Sequence, residues 1–155
     1  MSSLDNAVKM IGNLVVERFD STGALIEMQE YKNLVVSVGK AHIASRMLGT
    51  TQGSMSHMGI GTNATAPAAS DTALGTEVGT RATATSTQGT GATANQITYS
   101  ATFPANNPST QQTIAEAGIF NASTAGTMLC HTALSPTVTK NPTDSITITW
   151  TVTVG

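Results

Sequence analysis

The sequence predicts an all-β domain, an antiparallel β-sandwich or open barrel with one short helix near residues 38–48. Residues 146–154 alternate apolar and polar side chains without a break, so Ile146, Ile148 and Trp150 share one face of a strand and threonines cover the other. Along the whole chain, about eight short strand-like segments, this one included, are separated by turn-forming residues, without the strand-helix alternation of a parallel sheet. Both patterns indicate an antiparallel sheet that covers one core.

The N-terminal part, residues 10–36, is predicted to form a β-hairpin. Met10–Phe19 and Ala24–Val36 have strand composition, and Asp20–Gly23 between them has the residues of a tight turn. The polar residues 1–10 show no clear period and are predicted to be a flexible arm. After the hairpin, apolar residues at spacings of three to five predict the helix over residues 38–48, which Gly49 ends.

The rest of the chain completes a single domain that we expect to span residues 11–155. Between Gly53 and Asp71 the sequence is rich in Gly, Ala, Thr and Pro and holds one short strand candidate, Met58–Gly61. Asp71–Glu77 is predicted to form one helical turn. The C-terminal region 81–154 is predicted to hold five strands, Arg81–Thr87, Gln96–Phe103, Thr113–Asn121, Thr127–Leu134 and Ser145–Val154.

The composition is rich in small residues and poor in charge. The chain contains 27 Thr, 20 Ala and 14 Gly, and only 10% of its residues are charged, against about 25% in an ordinary soluble domain. Ten of the 16 charged side chains lie within the first 50 residues. We expect a weakly charged surface of this kind to be covered by copies of the same chain, with a trimer favoured, or by a larger assembly.

Several classes of partner are excluded by the same composition. A net charge of -2 without a Lys/Arg cluster argues against nucleic acid and against anionic membranes. No apolar run reaches the ~18 residues of a membrane span, and the first 11 residues lack the features of a secretory signal. We therefore expect synthesis in the cytosol. The single cysteine, Cys130, excludes an internal disulfide and cannot hold zinc alone.

No catalytic, cofactor-binding or metal site is predicted, and we expect the protein not to be an enzyme. His42, His57 and His131 lie far apart in sequence. The adjacent Cys130 and His131 point to opposite faces of a strand, so they cannot form a nucleophile-base pair, and Cys130 is interpreted as a small core residue. The glycine-rich segment 59–63 lacks the Lys and the helix start of a phosphate loop.

Arg81 and Glu116 are the two charged residues that stand out, because each lies in a strand-like segment with almost no other charge nearby. Buried charges are rarely tolerated unless they are paired. We interpret them as a structural pair: either Glu116 forms a buried ion pair with Arg81, or Glu116 accepts backbone amides that fix the strand register. A general-acid role for Glu116 is the weaker hypothesis, because no second acid or histidine stands beside it in the sequence.

Several segments resemble a group of small structural proteins encoded by tailed bacteriophages. The resemblance spans residues 12–154 and consists of strand and turn signatures. It is carried by Asn33–Val36, Met58–Thr62, Pro67–Leu74, Arg81, Ile97–Phe103, Thr113–Phe120, Gly126–Leu129 and Asp144–Val154. Members of such groups are capsid decoration (cement) proteins or tail and fibre components. The resemblance implies a part of the virion, made in the cytoplasm of the host bacterium, and it carries no catalytic residue.

Three functions are compared on this basis. The first is a non-enzymatic capsid decoration protein, which binds the major capsid protein and stabilises the DNA-filled head by mass action. The alternative is a tail, baseplate or fibre-attachment protein with tail proteins as partners. The third is a carbohydrate-binding module, which the small number of aromatic residues disfavours.

Overall fold

The computed structural model of the chain describes residues 7–49 and 52–155, and in these ranges it consists of nine β-strands and one α-helix. A single 3-10 turn covers Gly91–Thr93. The elements are β1 (Met10–Phe19), β2 (Leu25–Val35), α1 (Ser37–Met47), β3 (His57–Gly61), β4 (Glu77–Thr83), β5 (Thr85–Gln88), β6 (Gln96–Phe103), β7 (Gln112–Phe120), β8 (Met128–Lys140) and β9 (Ser145–Val154). The predicted all-β class with a single short helix is confirmed.

The nine strands form one antiparallel sheet in the order β4-β3-β7-β8-β2-β1-β9-β6-β5. Its two edge strands, β4 and β5, are separated in the chain by Ala84 alone, so the two edges meet. The sheet is therefore a nearly closed barrel or sandwich. Such near-closure leaves few unpaired backbone groups at the edges.

The main core lies inside the rolled sheet, and the alternating C-terminal strand is its centre. Ile146, Ile148, Trp150 and Val152 of β9 are at most 3% exposed. In the register of the sheet, Trp150 lies opposite Leu14 of β1 and Tyr99 of β6. Burying a large apolar side chain of this kind stabilises a fold by about 1.5–3 kcal/mol.

A second, smaller cluster packs Val36, Leu74, Phe120 and Met128 together. Val36 precedes helix α1, and Leu74 belongs to the segment between β3 and β4, so both elements pack on the sheet. A Cβ atom at Gly39 would lie only 2.8 Å from the Cα of Leu129, which means that α1 needs a glycine to approach β8 this closely. The helix and the segment of residues 62–76 therefore form an outer layer beside the main core.

The hairpin and the helix lie where the sequence predicts them. In the turn between β1 and β2, the Asp20 carboxylate accepts hydrogen bonds from the amides of Thr22 and Ala24 at 2.8 and 3.1 Å. Gly23 takes a φ of +84°, which glycine adopts at little cost. Helix α1 ends before Gly49, whose φ is +70°. Of the predicted flexible arm, residues 1–6 lie outside the described residues.

Three predicted elements differ from the structure. The prediction that Asp71–Glu77 forms a helical turn is wrong. Residues 71–76 are irregular, because Glu116 accepts the amides of Gly75 and Thr76, and Glu77 begins β4. The predicted strand Arg81–Thr87 is interrupted at Ala84, whose amide bonds to the carbonyl of Ser56. Strand β8 continues past Leu134 to Lys140 because Pro136 falls in an irregularity of the β7-β8 ladder, where proline removes no ladder bond.

Candidate functional site

The Glu116 carboxylate, on β7, holds the segment between β3 and β4 against the sheet. It is 1% exposed. One of its oxygens, Oε1, accepts the backbone amides of Thr76 at 2.7 Å and Asn63 at 3.4 Å. The other, Oε2, accepts the amide of Gly75 at 2.9 Å. Backbone amides of both ends of the segment therefore meet on one buried carboxylate, in agreement with the second interpretation of Glu116 made from the sequence.

His131, on β8, joins Glu116 to Asp71 through both of its ring nitrogens. Its Nε2 lies 2.9 Å from Oε2 of Glu116, and its Nδ1 lies 2.8 Å from Oδ2 of Asp71. Each ring nitrogen thus lies within hydrogen-bond distance of a carboxylate oxygen. The Asp71 carboxylate also accepts the amide of Ala68, and this bond, together with His131, outweighs desolvation and lowers the pKa of Asp71.

The arrangement of Asp71, His131 and Glu116 is that of a structural clamp. A histidine that acts as a general base needs one free nitrogen facing a nucleophile or a water molecule, and here each nitrogen is held by a carboxylate. A cavity of about 90 Å³ adjoins the three residues and is lined by Asn63 and Thr65 among others. Within the described ranges, no Ser, Thr or Cys side chain is hydrogen-bonded to His131.

Arg81 lies in a separate cluster, so the predicted ion pair between Arg81 and Glu116 is wrong. Its guanidinium instead donates hydrogen bonds to both carboxylate oxygens of Glu77, at 2.7 and 3.1 Å. It lies 3.4 Å above the ring of Phe120 and donates to the carbonyls of Ala122 and Ala125. Glu77 can fold back onto Arg81 because β4 bulges between them, at Gly79 with a φ of +69°. A local partner on the same strand thus replaces the distant one.

The other residues that the sequence analysis weighed and rejected as site candidates lie in separate surroundings. The thiol of Cys130 is fully buried, and this burial raises its pKa to about 12, as expected for a core residue. His42 contacts the side-chain oxygen of Gln52 at 3.0 Å. Ser56 Oγ lies 2.8 Å from Nδ1 of His57, a contact that the sequence analysis missed. In the part of the chain that the structure describes, no group of three or more His, Cys, Asp or Glu side chains could hold a metal ion.

A second charged network that the sequence analysis missed lies at the closed end of the hairpin. Arg18 binds Glu27 at 3.1 Å and Asp144 at 2.9 Å. Lys140 is fully buried, and its ammonium donates to the carbonyls of Pro104 and Asp144 at 3.1 and 2.8 Å. The network joins β1, β2 and the β8-β9 connection, which are far apart in sequence, so no local pattern could reveal it.

The surface has two apolar areas at opposite ends of the β1-β2 hairpin. The first, which we call the groove, is a concave space of about 730 Å³ between α1 and the start of β1. It is lined by Val8, Lys9, Met10, Ile11, Asn33, Leu34, Val35, Lys40, Ile43, Ala44, Met47 and Val154. Met47 is 85% exposed, Val8 72% and Ile11 53%. The charged side chains that line the groove are both lysines.

The second apolar area, which we call the hairpin tip, consists of Leu25, Ile26 and Met28 together with Glu17. Leu25 is 51% exposed, Ile26 46% and Met28 56%. In the sheet register, Met28 lies opposite Glu17, and Glu30 lies opposite Val15. The tip thus combines exposed apolar side chains with the Glu17 carboxylate, whereas the groove combines them with the ammonium groups of Lys9 and Lys40. Glu30 lies between the two areas, at mid-hairpin.

Comparison with models of protein families identifies the family of the chain. Residues 41–153, from within α1 to the penultimate residue of β9, match the model of a family described as Podophage GP4 fiber I protein gp80. The chain belongs to this family. The match includes the Glu116 clamp and Arg81 but begins after the hairpin. The gp80 family identifies a virion structural protein of a tailed phage and confirms the resemblance seen in the sequence. No curated protein matches the chain.

None of the described helices is both long and apolar enough to cross a membrane. Helix α1 contains 11 residues, about half of what a span requires.

Proposed function

We propose that this chain is a non-enzymatic subunit of a tail-associated fibre, and that it works through contacts with copies of itself and with tail proteins. The observation that supports this role over the others is the family match, whose description names a fibre protein. The sequence analysis put the capsid decoration role first and the tail and fibre role second. The family match favours the second, and binding to the capsid remains a prediction.

The surface of the molecule supports a role based on contacts. Outside the buried networks, the outer face of β6 and β9 is covered by threonines, and two cross-strand pairs, Thr98 with Thr151 and Thr102 with Thr147, have hydroxyl oxygens 3.3 and 2.9 Å apart. These hydroxyls lie on a regular ladder, and within the described ranges none of the four is hydrogen-bonded to a His, Asp or Glu side chain. An uncharged polar surface of this kind can pack against a neighbour without desolvating charge.

A carbohydrate-binding role is disfavoured by the positions of the aromatic residues. Tyr31 and Tyr99 are each 7% exposed, and Phe103, Phe120 and Trp150 are fully buried. Phe19, the remaining aromatic residue, is half-buried. Sugar rings are commonly bound by stacking on exposed aromatic faces, and no ring of this chain is exposed.

The test is where the protein lies in the particle. Phage particles are separated into DNA-filled heads and tails, and each fraction is probed with an antibody against the chain, alongside immunogold labelling of whole virions. The proposal expects label on tail-associated fibres and protein in the tail fraction. Label distributed over the head, with protein in the head fraction, would support the decoration role instead. Glycan binding by the purified chain would support the third role.

A further inference from the structure

We propose that copies of this chain join through two different surfaces, the hairpin tip of one copy docking in the groove of the next. The inference deepens the proposed function, on which it rests for the expectation that the chain self-associates. Both surfaces expose several large apolar side chains that lie close together, and such patches often mark interaction sites. Each would be covered by the other.

The β1-β2 hairpin is electrically polar along its length. Near the tip the outward carboxylate is Glu17, and at the groove the ammonium groups are Lys9 and, on α1, Lys40, while Glu30 and Lys32 lie side by side at mid-hairpin. In residues 7–49 and 52–155, none of these five side chains forms an ion pair. Opposite charges on the two ends favour tip-to-groove contacts and oppose tip-to-tip and groove-to-groove contacts.

The distance between the two surfaces shows whether a tip could dock in the groove of its own chain or only in that of a second copy. Ile11, in the groove, and Phe19, beside the tip, are eight residues apart on β1, which corresponds to about 27 Å along a strand. A tip therefore cannot reach the groove of its own chain, because the hairpin between them is a continuous part of the sheet. The contact must involve a second copy, and it pairs two different surfaces, as heterologous contacts do.

The shapes also agree. The tip is the narrow end of a two-stranded hairpin that carries Leu25, Ile26 and Met28, and the groove is a concave, mainly apolar space. A few well-buried apolar side chains at the centre of a contact, surrounded by polar groups, supply most of the affinity of protein interfaces. The predicted contact has Met28 and its neighbours at the centre and Glu-Lys pairs at the rim.

Complementation between two variants tests the inference in the full-length chain. Met28→Asp places a charge in the tip, and Met47→Glu places one in the groove, at side chains that are 56% and 85% exposed, so both variants should fold. Each alone should weaken self-association by about tenfold or more. An equimolar mixture should form a two-subunit species, because one variant keeps an intact groove and the other an intact tip. Ala64→Asp, in the exposed segment between β3 and β4, lines neither surface and is the matched control, which should associate like the unchanged chain.

The molar mass of each sample is measured by light scattering after size exclusion, at low and high salt, since screening should weaken a contact with charged rims. A chain that stays single at every concentration overturns the inference. So does a mixture of the two variants that stays single. If Leu4→Asp abolishes association and Met28→Asp does not, the groove takes the N-terminal segment instead and the inference falls.

The outcome is distinguishable from a failure of the proposed function. Localisation of the protein to heads would overturn the fibre role whatever the variants do. Localisation to tail-associated fibres together with failed complementation would overturn the tip-to-groove contact alone.

Discussion

Replacing Glu116 by glutamine tests whether the buried clamp holds the outer layer on the sheet. The substitution keeps the shape of the side chain but exchanges one acceptor oxygen for an amino group that only donates. If the glutamine oxygen takes the position of Oε1, it keeps the amides of Thr76 and Asn63, and the amino group then faces the amide of Gly75. In the opposite orientation the amino group faces Thr76 and Asn63. At least one buried amide loses its acceptor either way.

The size of the effect follows from these contacts. A buried donor left without an acceptor costs about 1–3 kcal/mol, and the loss of the negative charge weakens the remaining hydrogen bonds by about 1 kcal/mol. We therefore expect Glu116→Gln to lower the free energy of unfolding by about 2–4 kcal/mol. For a chain of this size, that corresponds to a melting temperature lower by roughly 4–16 °C.

The assay is urea unfolding followed by the fluorescence of Trp150, which is the one tryptophan of the chain and is fully buried, so its emission reports opening of the core. Protein concentration is kept constant, because self-association would raise the apparent stability. Glu77→Gln is the matched control: its side chain is 32% exposed, and Arg81 keeps the carbonyls of Ala122 and Ala125 as acceptors, so the substitution should lower the free energy of unfolding by only about 1 kcal/mol. A Glu116→Gln protein within about 0.5 kcal/mol of the unchanged chain, or a control that loses as much, would refute the clamp.

Three further predictions concern the buried charges and the thiol. Burial alone raises the pKa of Asp144, but hydrogen bonds from Arg18 and Asn141 outweigh it, so the pKa of Asp144, like that of Asp71, lies below the ordinary 3.8. The contribution of the two carboxylates to stability is complete above their pKa in the unfolded chain and is lost as the pH falls through their pKa values in the folded protein. The free energy of unfolding in urea should therefore decline below about pH 4. A free energy of unfolding that stays constant from about pH 6 to about pH 3 would contradict this. Cys130 should resist alkylation by iodoacetamide in the native protein and react in denaturant, as mass spectrometry would show, and rapid native labelling would be inconsistent with its burial. Arg81→Lys should lower the free energy of unfolding by about 1–3 kcal/mol, because lysine cannot bind a carboxylate with two parallel hydrogen bonds and stack on a ring at once. An unchanged melting curve would argue against the cluster around Arg81.

The strands were the most predictable part of the fold. The exact bounds of β1, β6 and β9 follow from local patterns, since a strand with one face in the core alternates along its own sequence. The bulge at Gly79 and the continuation of β8 past Pro136 were not predictable, because each depends on which strand lies alongside.

The charged site was predictable only in part. The scarcity of nearby charge correctly marked Glu116 and Arg81 as residues that need partners. The partners themselves could not be found from spacing: His131 is 15 residues from Glu116 and Asp71 is 60 residues from His131, and only the fold brings them to one place. Even Glu77, four residues from Arg81, required a bulge that the sequence did not signal.

The sequence by itself determined that this chain is an antiparallel β protein with a sparsely charged, threonine-rich surface, because side-chain periodicity and composition are local properties. Only the tertiary structure decided that Glu116 accepts the amides of a distant segment, and that exposed apolar side chains gather with opposite charges at the two ends of one hairpin. Hydrogen bonds and surface patches join residues that are remote in the chain, so they exist only once the sheet has closed and fixed which residues are neighbours.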